Sequence, residues 1–198
     1  MLLISVAAAL EESALRKRKE LDVDEELLLK IGRGDSDALA RLVQTAGKAV
    51  YAYILSIIRN PEDADDIYQD TFLKIQTSAA DYKPQGKPLA WIFTIARNYC
   101  MMRYRQDQKR AEMGYEELEN MPALSRIEKK EDRMVLEAAL GILTEEERQI
   151  VILHAVTGLK HREIARMLSM PLSTVLSKYR RSLTKLKAHL EGGGESWQ

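Results

Sequence analysis

Apolar residues recur at helical spacing through most of this chain, and few period-two runs of β-branched residues appear anywhere, so the expected fold class is all-α. Between residues 24 and 104 the pattern runs through Leu27, Leu28 and Ile31, then Leu39, Leu42 and Val43, then Val50, Ile54 and Ile57. Gly and Pro interrupt it at residues 32–35, at Asn60 and Pro61, and at residues 83–88, which predicts successive helices with short breaks. Pro61 followed by Glu62 and Asp63 suits a first helical turn: proline gives up an N–H that is unpaired there anyway, and carboxylates complement the helix dipole.

Residues 107–130 break the pattern, with Gly114, Asn120, Pro122, five glutamates and few large apolar side chains. This reads as a flexible acidic linker. Beyond it Val135, Leu136, Ala139, Leu140 and Leu143 resume helical spacing, and Thr144 with Glu147 has the spacing of a capping box. The expected organisation is an N-terminal extension (1–23), a helical domain (24–110), the linker (111–130), a second small helical domain (131–190) and a tail (191–198).

The formal net charge of zero conceals an alternation along the chain. Residues 1–76 carry net −4, residues 77–111 net +5, residues 112–147 net −7 and residues 148–190 net +8. Basic segments attract phosphate by releasing counterions, whereas acidic ones repel nucleic acid and suit a protein partner. A single cysteine, Cys100, rules out an internal disulfide framework and a Cys-rich zinc site, and a reducing cytoplasm fits best. The apolar residues 1–10 are too short to span a bilayer and lack a preceding basic segment, so no stable membrane insertion is expected.

The most specific local signal is KHREIARMLSMPLSTVLSKYRR, residues 160–181. A helix-turn-helix needs a small residue where its helices cross, a tight turn, and apolar anchors from the second helix. Ala165 supplies the first, residues 169–171 the turn, and Ile164, Leu168 and Val175 the anchors. On the second helix Ser173, Thr174, Ser177, Lys178 and Arg181 are placed largely away from Val175, with Arg180, Lys185 and Lys187 extending the positive field toward bases and phosphates.

Two further elements stand in the first half. In LAWIFTIARNYCMMRYRQDQKR, Leu89, Ile92, Phe93, Ala96, Tyr99 and Cys100 form an apolar stripe, and Thr94, Arg97, Asn98, Met101 and Arg105 a polar one, with Lys109 and Arg110 beyond. In EDADDIYQDTFLKIQ, Ala64, Ile67, Tyr68, Thr71 and Ile75 share one face, while Asp63, Asp66, Gln69 and Asp70 lie elsewhere as a docking surface. These acids cluster at a helix start and no His, Lys or further acid motif joins them, so a metal-dependent nuclease is a poor reading. His154, His161 and His189 share no metal-ligand spacing, and neither a Gly-rich phosphate loop nor a nucleophile elbow is present. No catalytic residue, metal, cofactor or small-molecule substrate is expected.

Taken in order, these elements resemble the extracytoplasmic-function class (group IV of the sigma-70 family) of bacterial RNA polymerase sigma factors. The resemblance spans residues 24–190: EDADDIYQDTFLKI is similar to the core-binding helix, AWIFTIARN to the promoter-melting segment, and residues 143–186 to the helix-turn-helix domain. It implies a non-enzymatic factor that binds core RNA polymerase and directs promoter-specific initiation. Asp63, Asp66, Gln69 and Asp70 would meet the polymerase. The loop 77–87 with Lys83 and Lys87, together with Arg97, Asn98 and Arg105, would take the melted minus-ten element of promoter DNA. Ser173, Thr174, Ser177, Lys178, Arg180 and Arg181 would read the minus-thirty-five element. The acidic linker would lie along the polymerase's basic RNA-exit path, and an anti-sigma factor is a further partner class. The chain departs from the family pattern at Ser169 in the turn, at Lys160 before the first helix of the motif, at Met102, and at Leu176 and Lys178 on the recognition helix. Two other readings fit parts of the pattern: a self-sufficient helix-turn-helix regulator, which binds DNA tightly alone, and a helical adaptor that uses the acidic helix.

Overall fold

The structure, a computed structural model, describes residue 21 and residues 23–112 and 141–192. The expected extension up to residue 20, most of the expected linker, the apolar run from Val135 to Leu140 and the last residues of the tail lie outside the described residues, as do the side chains of Lys109 and Arg110. Every regular element among the described residues is helical, and they fall into two compact units, one within Leu21–Ser125 and the other within Arg126–Gln198.

The first unit holds α1 (Glu25–Gly32), α2 (Ser36–Ile58), α3 (Pro61–Ser78), a 3-10 turn (Ala79–Asp81) and α4 (Pro88–Glu112). Each of the first three starts on a side-chain cap that satisfies otherwise unpaired amides. Asp24 accepts from Leu27 N at 2.7 Å, Asp35 from Ala38 N at 3.0 Å, and Asn60 from Glu62 N and Asp63 N at 2.9 and 3.2 Å, with Pro61 in the first turn as expected. The breaks fall where Gly and Pro place them. Helix α4 continues through Glu112, so the first two residues of the expected linker are helical.

Helix α2 packs against α1, α3 and α4, and α3 packs against α4. Leu28, Leu42, Val50, Tyr53, Ile54, Ile75, Ile92 and Phe93 are fully buried between them. Burial of such side chains stabilises the fold by about 1.5–3 kcal/mol each. Tyr53 and Phe93 meet edge to face at 5.4 Å, and Cys100 is buried beside this core as a small apolar side chain.

The second unit begins with α5 (Glu145–Val151), which widens into a π-helical turn (Ile152–Val156), followed by α6 (His161–Met167) and α7 (Leu172–Gly192). The capping box forms: Thr144 Oγ1 accepts from Glu147 N at 3.4 Å and Glu147 Oε2 accepts from Thr144 N at 3.0 Å. Leu143, Val151 and Leu186 make a small core against which Ala155 and Tyr179 pack. The rings of His154 and His161 stack 3.8 Å apart, with Tyr179 edge-on to both. His154 Nδ1 also lies 2.9 Å from the Leu159 carbonyl, so this pair serves packing and closes the turn after the π-helical segment.

Candidate nucleic-acid interface

The helix-turn-helix is built by α6 and α7. Ile164, Ala165 and Leu168 of α6 and Val175 of α7 are buried where the two helices cross. Between them Ser169 takes a left-handed conformation, φ +55°. Met170 N donates to Ala165 O at 2.9 Å and Ser169 N to Arg166 O at 3.2 Å, the paired bonds of a Schellman turn. Ser169 therefore does the work of the usual turn glycine. At the start of α6, Glu163 Oε2 accepts from Lys160 N at 2.9 Å, so half of a capping box survives without a Ser or Thr.

Ser173, Leu176, Ser177, Arg180, Arg181 and Thr184 are exposed along the outer side of α7, and Thr174 is half-buried. Ser177 Oγ donates to Thr174 O at 3.0 Å. Lys178 stands apart from this set: its side chain is 22% exposed and its Nζ lies 2.7 Å from Glu146 Oε2 on α5. Lys185 likewise turns to α5, reaching both oxygens of the buried Glu147 at 3.0 and 2.8 Å. Burial opposes ionisation of Glu147, but the bonds from Lys185 and Thr144 outweigh it and hold this carboxyl below its ordinary value.

Three further positions matter on this unit, of which the sequence reading notes only Leu176, as a departure from the family pattern. Leu176, at 38% exposure, is an apolar side chain on an otherwise polar face. Arg162 and Arg166, one turn apart on α6, are exposed and line an open groove beside the turn, where the first helix of such a motif meets backbone phosphate. Their spacing opposite Ile164 and Leu168 was the available signal.

In the first unit, Ile92, Phe93, Ala96 and Cys100 are buried, and Thr94, Asn98, Met102 and Arg105 are exposed along the outer side of α4, while Arg97 and Met101 are half-buried at its border. The preceding loop exposes Lys83, with Lys87 half-buried. Tyr82 is buried under this loop, 5.1 Å edge-on to Trp91, and its hydroxyl donates to Glu25 Oε1. Burial and that bond push the Tyr82 pKa up, and the same bond holds the Glu25 carboxyl below its ordinary range.

Helix α3 buries Ala64, Ile67, Thr71, Phe72 and Ile75 and exposes Asp66, Gln69 and Asp70 along one outer stripe. Leu73 continues that stripe at 59% exposure, a position the sequence reading did not single out. Asp63 is half-buried and ion-pairs with Arg103 of α4, which ties the two helices together.

Comparison with known proteins gives this geometry a family. Residues 42–110 match the Sigma-70 region 2 family and residues 133–186 the Sigma-70 region 4 family. The ECF RNA polymerase sigma factor SigK of Mycobacterium ulcerans is 30% identical over 173 residues, covering 83% of this chain and 92% of that protein. The ECF RNA polymerase sigma factor EcfG of Rhodopseudomonas palustris is 28% identical, covering 78% of this chain and 86% of its own length. Among solved structures, CnrH in complex with the cytosolic domain of CnrY superposes with a TM-score of 0.61 at 25% identity, over 86% of this chain and 99% of that one. Bearing regions 2 and 4 in this order and matching such relatives over most of their length, the chain belongs to the ECF RNA polymerase sigma factors, which direct transcription initiation and are not enzymes.

Proposed function

We propose that the two units divide promoter recognition between them. The outer stripe of α3, with Asp66, Gln69, Asp70 and the exposed Leu73, docks on core RNA polymerase. The expected loop 77–87 begins only after the end of α3 and the 3-10 turn, so loop 82–87 with Lys83 and Lys87, and the outer side of α4 with Asn98 and Arg105, take the melted minus-ten strand, with Arg97 at the border. The exposed row of Ser173 and Ser177, flanked by Thr174, reads the minus-thirty-five element from the major groove, while Arg180 and Arg181 on the same helix and Arg162 and Arg166 on α6 hold its phosphates. The protein works in the cytoplasm. No helix of the described residues is long and apolar enough to cross a membrane. An anti-sigma factor is a further partner class, and the complex of the structural neighbour CnrH with the cytosolic domain of CnrY supports a protein partner of this kind.

The observation that carries this reading is the separation of surfaces: an acidic stripe with an exposed leucine on one helix, and basic polar faces on two others. Acid suits a protein surface, and the basic faces suit DNA. Run-off transcription with core polymerase tests it. The wild-type chain is expected to give promoter-dependent transcripts, and charge reversal at Arg180 and Arg181 together is expected to abolish them while core binding persists. Tight, specific DNA binding by the chain alone in a gel shift would instead favour a self-sufficient regulator.

A further inference from the structure

The acids at the start of α1 do not share one task. Asp24 caps the helix, and Glu26 pairs with Lys30 one turn on, at 3.0 Å. Glu25 turns away from its own helix and reaches across some sixty residues of sequence to the loop before α4: its Oε1 accepts from Tyr82 Oη at 2.8 Å and from the consecutive amides of Gln85 and Gly86 at 2.6 Å each. Successive amides converging on one anion form a nest, and Gly86 at φ +68° supplies the left-handed residue that such a turn uses. The side chain of Lys87, directly before Pro88, has no acceptor with which to cap α4, and the Glu25 oxygen instead fixes the two loop amides just ahead of it.

The other end of α1 is seated as closely. A Cβ on Gly32 would lie 2.7 Å from Ala79 O and 2.9 Å from Ala80 N. Helix α1 thus grips the segment 79–86 at both ends, while the ring of Tyr82 against Trp91 passes the constraint into the first turn of α4. All of α1 lies ahead of residue 42, where the match to the region 2 family begins.

We propose that Glu25 is a positioning residue for minus-ten strand capture, its carboxylate setting the shape of the loop that presents Lys83 and Lys87. The inference rests on the reading of that loop given under Proposed function. An acid beside a nucleic-acid strand repels phosphate, so its charge favours the complex only through what it holds. The three donors on Glu25 Oε1 commit that charge to the loop.

That opposition makes the test discriminating. The probe is a fluorescently labelled single-stranded DNA carrying the minus-ten sequence that the wild-type chain with core polymerase selects from a randomised pool. Glu25→Gln keeps the shape and deletes the charge: simple electrostatics expects tighter binding, whereas loop positioning expects binding weaker by about tenfold, the scale of lost charge-assisted hydrogen bonds. Core affinity is expected to stay at the wild-type value, while the melting temperature falls modestly as the charge on these bonds is lost. Tyr82→Phe, which keeps the ring and removes one donor, is expected to shift strand affinity in the same direction by less. Glu25→Gln binding as tightly as wild type, or weakening core and strand affinity alike, overturns the proposal. Selection of no strand by the wild-type complex overturns the minus-ten reading and takes the proposal with it.

Discussion

Lys178 of the recognition helix is held by Glu146 of α5, Nζ to Oε2 at 2.7 Å, which turns a basic side chain of the motif toward its own domain. The exposed arginines Arg180 and Arg181 carry no such tether to α5 in the structure and remain on the outer side. Phosphate contacts are therefore expected to rest on the arginines. Arg181→Ala should lower the salt slope of holoenzyme binding to a minus-thirty-five duplex by about one, whereas Lys178→Ala should change it by less. Binding titrations over a range of salt check this, and equal slopes for the two variants would contradict the assignment.

Leu176 is an apolar side chain, 38% exposed, on that outer face. In a major groove the natural partner for such a side chain is a thymine methyl. Replacing thymines of the minus-thirty-five element one at a time by deoxyuridine should reveal one position where wild-type affinity drops by roughly 1 kcal/mol, the order of a buried methyl. Leu176→Ala should be insensitive to that replacement. If both respond alike at every position, Leu176 does not read the base.

Ser169 holds a left-handed backbone, φ +55°, that an L side chain adopts at a cost of about 1–2 kcal/mol. Ser169→Gly relieves the strain but adds freedom to the unfolded chain, so a net stabilisation of up to about 1 kcal/mol is expected. Denaturant unfolding should show a higher midpoint for the helix-turn-helix unit with an unchanged slope.

Gly32 is required by close approach, since backbone atoms of Ala79 and Ala80 occupy the space of a Cβ. Gly32→Ala must push α1 off the 3-10 turn, and it should destabilise the first unit by about 1–3 kcal/mol, as overpacking does. A lower unfolding midpoint for that unit is the expected signature; an unchanged one would show that the two segments separate freely.

The second unit should weaken in acid. Glu147 is more readily ionised in the fold than its ordinary 4.5, because Lys185 and Thr144 outweigh the opposing effect of burial. A depressed carboxyl contributes stability that is fully present above the unfolded value and is lost as pH falls through the folded one. Stability should therefore decline below about pH 4.5, and Glu147→Gln should be less stable than wild type at neutral pH, with the two curves converging as the acid limit is approached. Parallel curves would mean that Glu147 contributes no linkage.

Much of the fold was legible because its signals are local. Apolar spacing found the helices of the first unit, Gly and Pro found their breaks, and Thr144 with Glu147 marked a helix start that the capping box reproduces. The helix-turn-helix was equally readable, since Ala165, Leu168 and Val175 lie within eleven residues of chain and their spacing is itself the constraint on the crossing.

The sequence by itself thus determined the all-α class, the pair of sigma regions and the order of acidic and basic elements, for these depend on side chains three or four positions apart. Only the tertiary structure decided which border residues face inward. Helical periodicity places Lys178 one turn from Val175 without saying that Glu146 waits across the interface. Nor does it say that Asp63 meets Arg103, that Leu73 is left uncovered, or that Glu25 serves a loop sixty residues away. Those outcomes depend on which helix packs opposite, a relation between distant segments that is settled when the core closes.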